Sequence, residues 1–300
     1  MIIRGRQDII FDTINYFLLA LVFLAVAYPI WFVIIASLSN PDLVNSGRVW
    51  LIPRGVTLFA YENVFMDQRI WVGYANSLFY MTVGTMFNLV FILCGAYGLS
   101  RKGLVGRGPI MGVFVFTMYF HGGLVPTFLL IKKLGLLDTR WALVIPGAVG
   151  VWYVIIARTF FASTIPEELY ESAKIDGASD AYIFRRIVLP LSKPVIAVIA
   201  LYCAVEHWNK FFEALIYLPN KRGLHPLQML LREILILNQQ MEIDMSTLTS
   251  EEIEYYARMR KMAEAMKYAL IMIASLPLLI IYPFVQRYFV KGVMVGSLKG

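Results

Sequence analysis

The segment Thr164–Pro194, TIPEELYESAKIDGASDAYIFRRIVLPLSKP, decides how this chain folds, because it is polar and set between apolar runs. Thr164-Ile165-Pro166-Glu167 reads as a helix start. Thr164 can cap, Glu167 can return a bond three positions later, and Pro166 falls in the first turn, where no backbone donor is needed. Ile165, Leu169 and Ala173 recur at helical spacing, with Glu167, Glu168, Glu171 and Lys174 on the other faces. Asp176-Gly177 stops the helix, since glycine takes the left-handed geometry of a helix end without a Cβ clash. Ser179 can cap a second short helix through Arg185 and Arg186, and Ile187-Val188-Leu189-Pro190 leads back into apolar sequence. The product is a helix–turn–helix at a membrane surface, too polar to enter it. On these residues alone an ordinary interfacial loop accounts for it as well as a functional element does.

Outward from this segment, the chain is 59% hydrophobic and 16% charged with a mean hydropathy of +0.67. Soluble domains run nearer half apolar and a quarter charged, so the composition reads as membrane throughout. Tyr16–Ala36 is long enough to cross a bilayer as a helix. It continues past the signal-like Ala25-Val26-Ala27, so it reads as a span rather than a cleaved leader. Further spans are expected at Val72–Leu99 (with Asn76 and Asn88), Ile110–Ile131, Trp141–Ala157, Pro194–Ala214 and Tyr268–Phe284, six in all. Cys94 and Cys203 lie inside apolar runs and read as small core residues. The net charge of +7 fits loops facing anionic headgroups better than nucleic acid.

Orientation should follow lysine and arginine. With the N-terminus, Leu99–Pro109, Arg158–Lys193 and the tail inside, 13 of the 27 basic residues lie inside and 14 outside, so the basic count does not decide. The fifth span is unusual. Its apolar part, Val195–Val205, is about half a crossing, so the span must run on through Glu206-His207-Trp208-Asn209-Lys210. Those residues either line a cavity or mark the outer interface. Trp208, Asn209, Glu206 and His207 supply the aromatic faces and hydrogen-bonding groups that a sugar needs. They fit equally a packing surface for another subunit.

No phosphate-binding G-x-x-x-x-G-K-[ST] loop occurs, so the chain is not expected to bind ATP. His121, His207 and His225 are scattered without zinc spacing, and no G-x-S-x-G elbow is present, so no catalytic or metal residues are expected. Glu206 and Glu213 could align along a helix as the carboxylates of a secondary transporter, a channel or a membrane enzyme, but no inverted repeat or acceptor site accompanies them.

Three motifs carry a resemblance. Glu171-Ser172-Ala173, three residues, Gly177, nine residues and Ile187-Val188-Leu189-Pro190 resemble the EAA loop of ATP-binding-cassette importer permeases, with serine in place of one alanine. Gln286–Gly292 and Gly296–Gly300 are similar to the tail of the G-type permease subunit of maltose-type importers. Phe120-His121-Gly122-Gly123-Leu124-Val125-Pro126 resembles the subgroup linked to polysaccharide-derived oligosaccharides. The resemblance implies an all-α polytopic membrane protein of six transmembrane helices with type I importer permease architecture. Residues 1–300 would form one transmembrane domain, with a cytoplasmic coupling loop at 164–194 and an extracellular loop at about 218–267. It implies that Glu171, Ser172, Ala173, Asp176, Gly177, Leu189 and Pro190 couple to an ATPase; substrate contacts do not carry over, and Glu206, His207, Trp208 and Asn209 are substrate-pathway candidates on their chemistry alone. It implies a sister permease, two ATPase subunits that hold ATP and magnesium, and an extracellular solute-binding protein delivering oligosaccharide. It places the chain in a bacterial cytoplasmic membrane with both termini cytoplasmic and no cofactor of its own.

Overall fold

The computed structural model describes residues 5–240, 263, 264, 266–283 and 286. The charged stretch 251–262 and the tail motif from 287 onward lie outside the described residues. The elements run α1 (Arg6–Ser37), α2 (Pro41–Asn45), α3 (Phe59–Met66), α4 (Gln68–Ser100), α5 (Arg107–Tyr119), α6 (Leu124–Lys133), α7 (Trp141–Val144) and α8 (Val151–Thr164). They continue through α9 (Glu167–Ile175), α10 (Asp180–Ile183), a π-helical turn (Phe184–Val188), α11 (Leu189–Leu191), α12 (Lys193–Trp208), α13 (Phe212–Tyr217), α14 (Leu227–Gln240) and α15 (Met266–Pro283). Among the described residues every regular element is helical.

Two compact units divide the chain. The first holds residues 5–68 and the described part of 231–275. Its α1 starts where the Gly5 N–H donates to Asp8 Oδ2 at 2.9 Å. That carboxylate also opposes the positive end of the helix dipole. Only 6% of the apolar window of α1 is buried, so most of the helix turns outward. Its C-terminal end packs Ile35 and Ala36 against Val44 and Val49, with Phe32 edge-on to Tyr268 at 5.8 Å. Asn40 caps α2 by accepting from the Asp42 N–H at 2.9 Å.

The second unit holds residues 69–230 and the described residues after 275. Its axis is α4, the expected second span, which carries polar groups at both ends. Toward the N-terminal end, the Asn76 amide donates to the carbonyls of Gly223 and His225 at 2.8 and 3.1 Å and accepts from Arg140 at 3.2 Å. Tyr80 donates to the Leu224 carbonyl, and Ser77 accepts the Leu227 N–H, both at 2.8 Å. Asn220 donates twice to Asp138 nearby, side chain and backbone N–H together holding that carboxyl below its ordinary range. About 36 Å along α4 from Asn76, at Ser100, lies the second polar cluster. The loops containing Arg140 and Arg101 therefore fall at opposite ends of the axis, a separation the basic-residue count does not supply.

Three helices, α1, α4 and α15, are long and apolar enough to cross a membrane, and two bent pairs bring the number to five. The expected third span, Ile110–Ile131, is not one helix. It breaks at Phe120–Gly123 with a 112° bend, Gly123 taking φ +83°. The expected fourth span, Trp141–Ala157, is also interrupted: α7 ends at Val144, just before Pro146, which has no N–H for a helical bond, and α8 then runs on to Thr164. The expected fifth span ends at Trp208 instead of Ala214. There Lys210 turns inward and its Nζ donates to the Leu143 carbonyl at 2.9 Å.

Helices α4 and α12 share an apolar cluster and meet most tightly at one point. His207 is 1% exposed, lies over Gly84, and shares a 3.3 Å hydrogen bond with the Asn88 amide oxygen. A methyl group at Gly84 would run into the imidazole ring. Gly84→Ala should therefore destabilise the protein by about 1–3 kcal/mol, the usual range for overpacking. A lowered thermal midpoint in nanodiscs checks this; an unchanged midpoint would mean that the His207 ring can move aside to admit the methyl group.

Candidate functional site

The polar segment forms two helices, with one change to the expected start. Thr164 is the last residue of α8 and does not cap α9, whose N-cap is Pro166. The apolar run from Val151 keeps the backbone helical up to the extended residue Ile165. The C-terminal end is as expected. Gly177 takes φ +79°, its N–H donates to the Lys174 carbonyl at 3.0 Å, and the Ala178 N–H reaches back to the Ala173 carbonyl at 2.9 Å. These two bonds are the paired closure of a Schellman motif. Ser179 caps the second helix, accepting from the Tyr182 N–H at 3.3 Å.

Burial divides the candidate coupling residues. Ala173 is buried with Tyr170 against Phe161, Ile165, Ile183 and Val188. Tyr170 thus occupies the buried face, while Leu169 is 38% exposed. Glu171, Ser172, Asp176 and Gly177 face outward. Ala173, Asp176 and Gly177 come together with Ala178, Ser179, Tyr182 and Ile187 around a shallow groove of about 530 Å³. Ile175 beside it is 86% exposed, an apolar side chain at the tip of a polar turn. Leu189 and Pro190 do not line the groove; they close the second helix before the 83° bend into α12.

Sequence reasoning used Arg101 as a topology count and missed its contacts. Arg101 Nη2 lies 3.1 Å from Glu167 Oε1, and its guanidinium carbon lies 3.5 Å from the Tyr170 ring centroid. Lys102 Nζ stands 3.6 Å from the other Glu167 oxygen. Burial pushes the Tyr170 phenol above its ordinary pKa, and the neighbouring Arg101 charge pulls against that rise. Tyr97 on α4 meets Phe184 in a tilted ring contact at 4.9 Å, and Arg158 Nε donates to the Leu99 carbonyl at 3.1 Å. The signal that could have found this brace was the pairing of Arg101-Lys102 with the acidic start of α9.

The substrate-pathway candidates separate. His207 and Trp208 are buried within the chain itself, Trp208 edge-on to Tyr74 at 5.7 Å. Glu206 and Asn209 are exposed; Glu206 accepts from the Tyr153 hydroxyl at 2.5 Å, and the Asn209 amide donates to the Val205 carbonyl at 3.0 Å. Among the described residues no group of three metal-ligating side chains occurs.

A multi-pass helical chain with a capped polar helix pair between apolar helices has the form of an importer permease. The chain belongs to the family described as binding-protein-dependent transport system inner membrane component, whose sequence profile matches residues 1–295. It is 42% identical over 291 residues to the polygalacturonan/rhamnogalacturonan transport system permease protein YtcP of Bacillus subtilis, covering 97% of this chain and 99% of that one. It is 27% identical over 283 residues to the arabinooligosaccharides transport system permease protein AraQ of Halalkalibacterium halodurans, covering 93% and 92%. A crystal structure of a bacterial ABC transporter involved in the import of the acidic polysaccharide alginate contains a chain of 34% identity and TM-score 0.84, covering 96% of this chain and 100% of that one. The protein is therefore a non-catalytic, multi-pass permease subunit of an inner-membrane ABC importer, working with ATPase and solute-binding partners. The family carries no cofactor; ATP is bound by the partner ATPases. This replaces the secondary-transporter, channel and membrane-enzyme readings.

Arg101→Ala should release the start of α9 by about 1–2 kcal/mol, combining a part-buried ion pair with a cation–π contact. Amide hydrogen exchange across 167–175 should quicken roughly five- to thirtyfold, with Arg101→Lys recovering part of the protection. Unchanged exchange would show that Tyr170 burial alone holds the helix.

Proposed function

We propose that this chain is one of two sister permeases in an importer for oligosaccharides, and that α9 with the Gly177 turn is the knob on which an ATPase subunit docks. The observation that carries the reading is the exposed tip around Glu171, Asp176, Gly177 and Ile175, set on a helix fixed to α4 through Arg101. A rigid helix end bearing charged and apolar groups can transmit force, whereas a mobile loop cannot. Ser172 keeps the outer face small, Ala173 lets α9 lie close on its core, and Leu189 and Pro190 set the exit into α12. The sugar class is supported by the relatives, whose names refer to polygalacturonan, arabinooligosaccharides and alginate.

Six spans follow on this reading: α1, α4, the α5–α6 pair, α8, α12 and α15. An ATPase lies in the cytoplasm, so the Arg101 end of α4 and both termini are cytoplasmic. The loop of about 218–267 is then extracellular, where it either meets the binding protein or caps the outer ends of the spans. Residues 1–300 act as one transmembrane domain, coupling segment included. Two different ATPase subunits or two copies of one serve this reading equally. The exposed pair Glu206 and Asn209 lies on the substrate pathway, whereas His207 and Trp208 support it from behind.

Gly177→Asp tests the docking knob. The φ of +79° disfavours most Cβ-bearing residues, and the added charge sits where the partner would seat. ATPase co-purification and transport should both fall roughly tenfold or more, as for a central interface residue. Gly177→Asn, which has the same backbone tolerance as Asp but no charge, should retain more of both. Undiminished transport in the Asp variant overturns the docking assignment. The chain purified without partners is expected to hydrolyse no ATP.

A further inference from the structure

At the far end of α12 an aromatic pair and a carboxylate converge. Tyr153 on α8 donates its hydroxyl hydrogen to Glu206 Oε1 at 2.5 Å. Tyr202, one turn before Glu206, stacks on Tyr153 with ring centroids 6.2 Å apart and planes 21° from parallel. Tyr202 is 48% exposed, and Glu206 is exposed beside it. Among the described residues Glu206 pairs with no basic side chain, and the nearby Lys210 ammonium is turned inward onto the Leu143 carbonyl. Lys193 stands at the 83° bend from the surface helices, and Glu206 lies roughly 20 Å further along α12. Against a hydrocarbon core of about 30 Å, that places the carboxylate within the apolar thickness. A charge there is strongly disfavoured against lipid, so this face of the chain looks onto a polar space.

We propose that Tyr153, Tyr202 and Glu206 form a pyranose subsite on the translocation path, one that favours a neutral, hydroxyl-rich sugar residue over a uronate. The proposal rests on the oligosaccharide-importer reading and adds the contacts and the charge preference. The exposed Tyr202 ring offers a flat, electron-rich face to the C–H face of a pyranose. Glu206 Oε2 accepts from sugar hydroxyls, while the Tyr153 hydroxyl fixes the carboxylate orientation through Oε1. A sugar carboxylate at the same place would meet the Glu206 charge, while the nearby Lys210 ammonium is directed onto the Leu143 carbonyl. Few polar groups on an aromatic wall suffice to orient a ligand in this way.

The test uses the complete importer, purified with its partner subunits in nanodiscs and trapped with vanadate. Binding of α-1,4-linked glucose and galacturonate tetrasaccharides and of a mixed panel of neutral plant oligosaccharides is measured by saturation-transfer NMR. A neutral oligosaccharide should bind more tightly than any uronate. Tyr202→Ala should weaken it about tenfold, as for the loss of a well-placed contact, while Tyr202→Phe should bind as the parent does. Glu206→Gln should narrow the gap between neutral and uronate ligands. Tighter uronate binding by the parent protein, no binding by any neutral sugar, or equal affinity in parent and Tyr202→Ala each overturns the subsite. Loss of the sister permease from Tyr202→Ala preparations overturns it too, making this face a subunit interface. ATPase stimulation by the binding protein, measured on the same samples, reports separately on the importer reading.

Discussion

A membrane interior offers no water to backbone groups, so every carbonyl or N–H freed by a broken helix must find a partner within the protein. Much of this structure answers that requirement. Asn76, Ser77 and Tyr80 reach from α4 to the irregular backbone of residues 223–227. Lys210 meets the Leu143 carbonyl left open where α7 ends, and Arg158 meets Leu99 near the end of α4. The polar residues inside apolar runs are therefore mostly structural, spent on backbone that cannot be hydrated. Glu206 is different: its partner is a side chain and it remains exposed.

The same requirement explains which parts of the fold are legible in sequence. Long uninterrupted apolar runs announced α1, α4 and α15, and cap chemistry announced the Gly177 turn and the Ser179 start. Hydropathy has no signal for direction, so the 112° bend at Phe120–Gly123 reads as one span although its glycines are visible. Thr164 illustrates a competition between local and regional preference. It is a good cap by composition, but the apolar helix arriving from Val151 continues through it, and Pro166 takes the boundary. Arg101 is legible as a charge but not as a contact, because its partners lie in another loop.

Docking and transmission place different demands on the surface helix pair. Docking needs exposed groups of mixed character, which Glu171, Asp176 and Ile175 provide. Transmission needs the helix to move with a span. Tyr170 and Ala173 bind α9 to the same cluster that holds Phe161 of α8 and Val195 of α12, and Arg101 adds the end of α4. On the proposed docking, a push on the Gly177 turn would be shared among three helices. The exposed side and the buried side of one nine-residue helix thus carry the two halves of the coupling argument.

Exposure in such a chain must be read through chemistry. The bare apolar length of α1 costs nothing in lipid, so its Ile, Leu and Phe side chains do not call for a protein partner. The exposed Glu206 is informative because lipid cannot solvate it. His207 and Trp208, the more conspicuous residues by type, are consumed by packing against Gly84 and Tyr74. On the proposed pathway, the residues available to a passing substrate are those whose polarity the fold has not already used, and among the described residues Glu206 with Tyr153 and Tyr202, where α8 and α12 meet, fits that description.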